Sequence, residues 1–262
     1  MYFEWHGVND PKAPVLAFSS GLGGSANFWK PQLDSFKSRF RILLYDHLGT
    51  GRSPAKLPSD YSIKHMANEF IGLVDKLEVD NCHFVGHAVG GLVGLEAALL
   101  RPEMIKSLAL VNAWSSPNPH TLRCFDIRKA ILANCSPSVF LQMQALLLYP
   151  PDWISENIEM LQEEEKHMLT KFPDTDNLLA RIHALSIFDV ENQLEKINID
   201  CLVLANKDDL LVPWQRSQIL ANKLPNAKMI VMEYGGHASS VTVPGLFNPI
   251  IESYLVSHVA NQ

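Results

Sequence analysis

Short apolar runs alternate with helix-period segments along most of this chain, and that alternation limits the possible folds more than any other feature. The runs fall at 13–19, 41–45, 82–85, 105–111, 201–205 and 229–232. They are apolar nearly throughout, as strands buried on both faces are, instead of alternating apolar and polar. Helical patterns fall between and after them, at 27–36, 62–76, 89–100, 213–224 and 244–259. In the second of these, Ile63, Met66, Phe70, Leu73 and Val74 recur at helical spacing behind Ser62, a good N-cap. Strand–helix–strand order of this kind predicts an α/β fold: a mostly parallel central sheet flanked by helices on both faces. The stretch from Met1 to Pro11 precedes the first clear strand, so one or two edge strands of the full architecture are expected to be missing.

The pattern breaks after the fourth predicted strand. From 117 to 196 nothing reads as a buried strand. Helical segments are expected instead at 120–134, 138–148, 152–171 and 175–189, punctuated by Pro117, Pro119, Pro137, Pro150, Pro151 and Pro173. The economical division is a core of 1–116 plus 197–262 with a helical cap, 117–196, inserted into it. Within the cap, Glu163-Glu-Glu-Lys166 reads as a solvated helix face.

Composition narrows the function classes. Across 262 residues the net charge is −6, which leaves no footprint for nucleic acid or an anionic membrane. No apolar run approaches the roughly 20 residues of a membrane span, and the N-terminus lacks the layout of a signal peptide. A cytoplasmic protein acting on a small molecule is the expectation. The four cysteines, Cys82, Cys124, Cys135 and Cys201, are scattered and read as buried free thiols. No zinc-type spacing occurs, so neither a metal nor a cofactor is called for. Oligomeric state is left open, a homodimer included.

The chemistry-bearing motifs lie where strands end, the edge at which open α/β sheets build their sites. Val85-Gly-His-Ala-Val-Gly-Gly91 has the layout of a nucleophile elbow, Gly-x-Ser-x-Gly, with Gly86 and Gly90 flanking the centre. The central residue, expected to carry about 1–2 kcal/mol of backbone strain, is Ala88, which has neither hydroxyl nor thiol. Later come Lys207-Asp-Asp-Leu-Leu-Val-Pro213 and Tyr234-Gly-Gly-His237. An acid followed by a histidine after the elbow is the chain order of a hydrolase triad. His237 is the candidate base and Asp209 its orienting partner, with Asp208 the alternative. Ser20-Gly-Leu-Gly23 follows the first clear strand, so the backbone N–H groups of Leu22 and Val89 are the candidate oxyanion donors.

Taken in this order over essentially the whole chain, these motifs resemble the cap-bearing α/β-hydrolase superfamily. The resemblance is closer to the RutD family of the Rut pyrimidine-degradation pathway. It rests on Ser20-Gly-Leu-Gly-Gly-Ser25, Trp29-Lys-Pro-Gln-Leu33, Val85-Gly-His-Ala88, Val111-Asn-Ala-Trp114, His120-Thr-Leu-Arg-Cys-Phe125, Leu148-Tyr-Pro-Pro-Asp-Trp153, Asn177-Leu-Leu-Ala-Arg181, Asp208-Asp-Leu-Leu-Val-Pro213 and Tyr234-Gly-Gly-His-Ala238. Alanine at the elbow is usual in that family, so Ala88 is expected to be the chain's own residue. The resemblance implies a late step of uracil breakdown: hydrolysis of carbamate to ammonia and carbon dioxide, or hydrolysis of aminoacrylate.

Without a nucleophile no acyl-enzyme can form at position 88. What remains is a base, an orienter and two amides, enough for His237 to activate water in the space a hydroxyl would fill. Small acidic substrates need a cation, and Arg123 and Arg181 lie in the cap stretches that carry the resemblance. Trp114 and His120 are further candidates for substrate contact, His87 flanks the elbow, and Trp29, Tyr149 and Trp153 are aromatic residues that could wall a pocket or simply pack. Two rival readings remain. One is a pseudoenzyme, a binding module that kept the fold. The other is a dinucleotide site built on Gly21-Leu-Gly-Gly-Ser-Ala26 with Asp46 as the ribose acid.

Overall fold

The computed structural model describes residues 1–259. Its centre is a seven-stranded sheet in the order β1-β3-β2-β4-β5-β6-β7. The strands are β1 (Phe3–Gly7), β2 (Val15–Ser19), β3 (Arg41–Tyr45), β4 (Cys82–His87), β5 (Ile105–Val111), β6 (Cys201–Asn206) and β7 (Ala227–Met232). Only β1 runs antiparallel to its neighbour, β3; every other pairing is parallel. The edge strand β1 lies in the stretch from Met1 to Pro11, where the sequence shows no clear strand. It is half-buried rather than buried, so it lacks the continuous apolar run that marks the inner strands.

Outside the strand-free stretch after β5, the helices are α1 (Leu33–Phe36), α2 (Ile63–Lys76), α3 (Val89–Leu100), α9 (Trp214–Lys223), α10 (Ser239–Thr242) and α11 (Pro244–Val259), with the α4–α8 group between β5 and β6 described below. Both faces of the sheet are covered, and the side chains of β4 go alternately to the two. Phe84 joins a cluster with Phe70 of α2, Leu92 of α3 and Leu220 of α9, whereas Val85 joins Trp29, Phe36 of α1 and Phe247 of α11. Trp29 therefore packs in the core and walls no pocket. Ser62 caps α2 by accepting from His65 N–H. The segment read as one helix over 27–36 is a 3₁₀ helix, Ala26–Gln32, running into α1. Pro31 lies inside it, has no N–H to donate, and disfavours α geometry in the residue before it.

Between β5 and β6 the chain forms α4 (Pro119–Asn134), α5 (Pro137–Leu148), α6 (Pro151–Glu156), α7 (Ile158–Leu169) and α8 (Thr175–Ser186), then a 3₁₀ helix, Glu191–Lys196. This group follows the fifth strand of the sheet, the fourth of those legible in sequence. Three of the prolines that punctuate the segment start helices: Pro119, Pro137 and Pro151 stand in the first turns of α4, α5 and α6. A missing N–H costs nothing there. The single helix expected over 152–171 is broken at Asn157, whose backbone leaves helical geometry, and the one expected over 175–189 stops at Ser186. Cys82, Cys124 and Cys201 are buried free thiols as expected, but Cys135, just past α4, is exposed. No helix among the described residues is long and apolar enough to cross a membrane.

Candidate active site

The parallel strands deliver β2, β4, β5, β6 and β7 to one edge with their C-terminal ends close together: Ser19 is in register with Gly86, His87 with Val111, and Val111 with Leu204. Ala88 sits between β4 and α3 with φ 49° and ψ −112°. A non-glycine residue there carries about 1–3 kcal/mol of strain, and the surroundings hold it in place. Ala88 N–H donates to Val111 C=O at 2.8 Å and its own carbonyl accepts from Leu92 N–H. The two flanking glycines have no alternative. A Cβ on Gly86 would lie 2.4 Å from the backbone of Gly90, and one on Gly90 would lie 2.1 Å from the Ser19 carbonyl oxygen.

Close to this turn is a buried pair, its imidazole centroid 4.7 Å from that of His87, the residue before Ala88. His237 Nδ1 meets Asp209 Oδ2 at 2.7 Å, and both side chains are almost wholly shielded from solvent. The other carboxylate oxygen of Asp209 accepts from Leu211 N–H and Val212 N–H, each at 2.8 Å. Three donors thus compensate a charge that would be costly to bury alone. Because Nδ1 donates to the carboxylate, Nε2 of neutral His237 carries the lone pair and is the basic atom. The neighbouring acid has another job: Asp208 accepts from Gly235 N–H and Gly236 N–H, both at 3.0 Å. The ambiguity between Asp208 and Asp209 is resolved by this division, one acid on the imidazole and one on the loop that carries it.

Two side chains of minor prominence in the sequence complete the support. Asn112, at φ 50° just beyond β5, donates through Nδ2 to the His237 carbonyl at 2.7 Å. His87 Nε2 donates to the same carbonyl at 2.8 Å. This bond fixes the tautomer of His87, leaving Nδ1 as a bare acceptor, buried and without a partner. Burial, and then the neighbouring His237, push the pKa of His87 well down, so it stays neutral. Its ring stacks on Phe28 with centroids 4.7 Å apart and lies at the same distance from the His237 ring. The Nδ1 edge borders the Gly21 turn: a Cβ on Gly21 would lie 3.1 Å from it and 3.8 Å from the Ala88 methyl. Leu22 and Val89 follow Gly21 and Ala88 directly, and neither N–H is hydrogen-bonded among the described residues. Beneath the turn Ser19 Oγ bonds Tyr45 OH at 2.6 Å and His47 Nε2 at 3.3 Å.

The remaining candidates divide. Trp114 is buried beside Phe125, with ring centroids 6.1 Å apart and its indole N–H unpartnered. Arg181 is buried, donating weakly to Leu48 C=O at 3.4 Å with Nε and Nη2 unpartnered; Tyr61, Glu69 and Tyr45 are its electrostatic company. Arg123 is exposed and is not brought to the His237–Asp209 pair. His120 is also exposed; its Nε2 donates to Leu210 C=O at 2.6 Å, which ties α4 to the loop of Asp209. Tyr149 and Trp153 pack on each other with ring centroids 4.7 Å apart and planes tilted by 37°. The buried arginine that the sequence reading passed over is Arg128, 2% exposed and with Nε unpartnered. Its signal was available: Thr121, Cys124, Phe125 and Arg128 fall at i, i+3, i+4 and i+7, a buried helix face that ends in a cation.

The dinucleotide reading does not survive these contacts. Both oxygens of Asp46 are occupied, by Ala26 N–H at 2.8 Å and by Arg52 through its backbone N–H, Nε and Nη2. The Gly21 turn opens a 3₁₀ segment and not the long helix a pyrophosphate would cap. Among the described residues no cluster of His, Cys, Asp and Glu is placed to hold a metal ion.

Comparison with known proteins agrees with this geometry. The sequence profile described as alpha/beta hydrolase fold matches residues 14–135, and one described as TAP-like protein matches 186–260. Among solved structures, the chain is similar to a hydrolase from Pseudomonas aeruginosa PA01, with TM-score 0.87 and 27% identity over 97% of this chain and 93% of that one. Among curated proteins, a relative from Pseudomonas syringae pv. syringae named "Putative carbamate hydrolase RutD" is 54% identical over 97% of this chain and 98% of its own length. A namesake from Stutzerimonas stutzeri is 52% identical over 100% and 97%. Relatives this similar over nearly the whole length leave one assignment: the chain belongs to the RutD family of α/β-hydrolase-fold proteins.

Proposed function

We propose that the protein hydrolyses carbamate, or in its place the enamine aminoacrylate, by water attack without a covalent intermediate; the steps are written for carbamate. One observation carries this reading. A buried His237–Asp209 pair, its Nε2 without a hydrogen bond among the described residues, lies beside His87 at an elbow whose strain, glycines and amides are all kept, although its centre is only a methyl group. The names of the relatives supply the substrate class, and uracil breakdown is the pathway this implies.

In this mechanism His237 Nε2 takes a proton from water lodged above Ala88, and the hydroxide attacks the carbamate carbon. Asp209 holds the imidazole in its reactive tautomer and stabilises the imidazolium. Negative charge growing on oxygen is met by Leu22 N–H and Val89 N–H, preorganised donors of the kind that contribute most where water is excluded. The imidazolium then returns its proton to nitrogen as the C–N bond breaks. Carbamate and water give ammonia and bicarbonate, with charge conserved. The helical segment 117–196 acts as the cap over this edge. Homodimer assembly belongs to the same proposal, since the cap leaves Ile127, Leu146, Ile158 and Met160 exposed; sedimentation of a single 29-kDa species at micromolar concentration would remove it.

The deciding comparison uses wild type and Ala88→Ser, assayed for ammonia release from carbamate and aminoacrylate and for aryl-ester cleavage. The wild type is expected to release ammonia and leave esters intact. An inert wild type beside an Ala88→Ser variant that gains esterase activity would establish the pseudoenzyme instead.

A further inference from the structure

The groups assigned so far leave one charge unexplained. Arg128 is 2% exposed, and its guanidinium makes no hydrogen bond or ion pair among the described residues. Buried arginines are normally paired, because taking an unpartnered charge out of water is costly. Arg181 at least has a carbonyl oxygen and an acidic and phenolic neighbourhood. Arg128 has neither.

Its position gives that cation a use. The buried face of α4 rests on the loop that carries the orienting acid: Thr121 Oγ1 donates to Leu211 C=O at 3.3 Å, one residue from where His120 reaches Leu210 C=O. Phe125 of the same face packs on Trp114, just beyond β5. Arg128 continues this buried face one turn past Cys124. The carboxylate that offsets it electrostatically is Asp209. Asp209 forms no ion pair with it; its oxygens accept instead from His237, Leu211 and Val212. Burial lowers the Arg128 pKa only to about 10, so the group is cationic at neutral pH. A buried positive charge on the helix face that rests on the Asp209 loop, without a protein partner among the described residues, is what a guest anion completes.

We propose that Arg128 anchors the anionic end of the substrate, a carboxylate or carbamate group of a small molecule held on its guanidinium beside the His237–Asp209 pair. This rests on the preceding proposal only in taking that pair as the reacting site. The chemistry asks for such a group. Water attack on an anionic carbamate gathers a second negative charge on the same carbon, and Leu22 and Val89 offer only neutral donors. Guanidinium geometry suits two carboxylate oxygens at once, and uncharged esters or lactones would forgo it.

The test needs no turnover. Acetate and acetamide are the charged and neutral isosteres of carbamate, and each is titrated into wild type, Arg128→Gln and Arg128→Lys while the His237 ring signals are followed by NMR. Acetate is expected to bind wild type at least tenfold more tightly than Arg128→Gln, with Arg128→Lys between them. Acetamide is expected to bind all three equally weakly. Equal acetate affinity in wild type and Arg128→Gln, or acetamide binding wild type as well as acetate does, would overturn the proposal. If Arg128→Gln does not fold, the Nε–Hε signal of Arg128 in wild type decides: it shifts with acetate and not with acetamide, and an unmoved signal is the overturning result. A wild type that releases no ammonia but binds acetate through Arg128 refutes the hydrolase reading and keeps the anchor. Turnover with Arg128-independent acetate binding does the reverse.

Discussion

Replacing Asp209 by asparagine removes a charge while keeping the shape, and the hydrogen bonds around it dictate which way the amide must turn. One oxygen of Asp209 accepts two backbone N–H groups, from Leu211 and Val212, each at 2.8 Å. Only the amide oxygen of an asparagine can take that place; its NH₂ group there would face two donors. The NH₂ must therefore point at His237 Nδ1, 2.7 Å away in the wild type. A donor facing Nδ1 makes that atom the acceptor and moves the proton to Nε2, the atom that must be bare to take a proton from water. The base is then present but in the wrong tautomer. In a serine protease triad the equivalent change costs about 10⁴ in kcat. We expect a loss of about 10³–10⁴, or about 4–5 kcal/mol, unless the uncatalysed rate is reached first, with KM nearly unchanged. Folding is preserved because the two backbone N–H groups keep their acceptor, with a stability loss of about 1–3 kcal/mol for the charge-assisted bonds. The assay is continuous ammonia release across a substrate range, beside urea unfolding. Asp208→Asn is the comparison: its two oxygens each accept one N–H, from Gly235 and Gly236, so the amide keeps one bond and loses the other, which loosens the loop but leaves the His237 tautomer alone and should cost less than Asp209→Asn. Turnover by Asp209→Asn within a factor of a few of wild type, in a folded protein, would refute the tautomer reasoning.

Two more outcomes follow from the same contacts. Asn112→Ala removes one of two donors on the His237 carbonyl and puts a Cβ-only residue at φ 50°; a stability loss of about 1–3 kcal/mol and a kcat reduced about tenfold or more are expected, and unchanged kcat would show that the loop needs no such brace. Burial chiefly lowers the pKa of His47 to about 3 and that of His83 to about 4, against about 6.5 in an unfolded chain. As pH falls below about 6.5 the unfolded chain takes up protons that the folded one refuses. Stability is therefore complete above that pH and declines by about 1.4 kcal/mol per unit for each histidine, the His83 share ending near pH 4. Urea unfolding between pH 7.5 and 4.5 should show this slope, and His83→Gln should flatten it; a pH-independent midpoint would contradict the burial argument.

How far the sequence could be read depended on whether the relevant constraint was local. The elbow is local: Gly86 and Gly90 are dictated by a turn so tight that their Cβ atoms would strike backbone, and that shows in seven consecutive residues. The inner strands are legible because burial on both faces leaves a continuous apolar run. Strand β1 was missed because an edge strand, half-buried and short, keeps polar residues such as Glu4 and His6. The helix breaks at Asn157 and Ser186 were missed because apolar spacing continues across them. The substrate arginine depends on helix phase, which only the packed fold sets. Arg123 and Arg128 share α4, yet five residues at about 100° each put them about 140° apart around its axis. The first faces solvent and the second the interior. Asn112 lay in a stretch noted for its resemblance, but its bond to a loop 125 residues away along the chain could not be inferred from either end.

The most direct test of the account compares carbamate breakdown by wild type and His237→Ala in stopped flow, with enzyme concentration varied so that spontaneous decomposition is subtracted. Ammonia release is expected to rise linearly with wild-type concentration, without a burst, and to fall to the spontaneous rate in His237→Ala. A His237→Ala variant as active as wild type would contradict this, because Nε2 of His237 would then have no part in the chemistry.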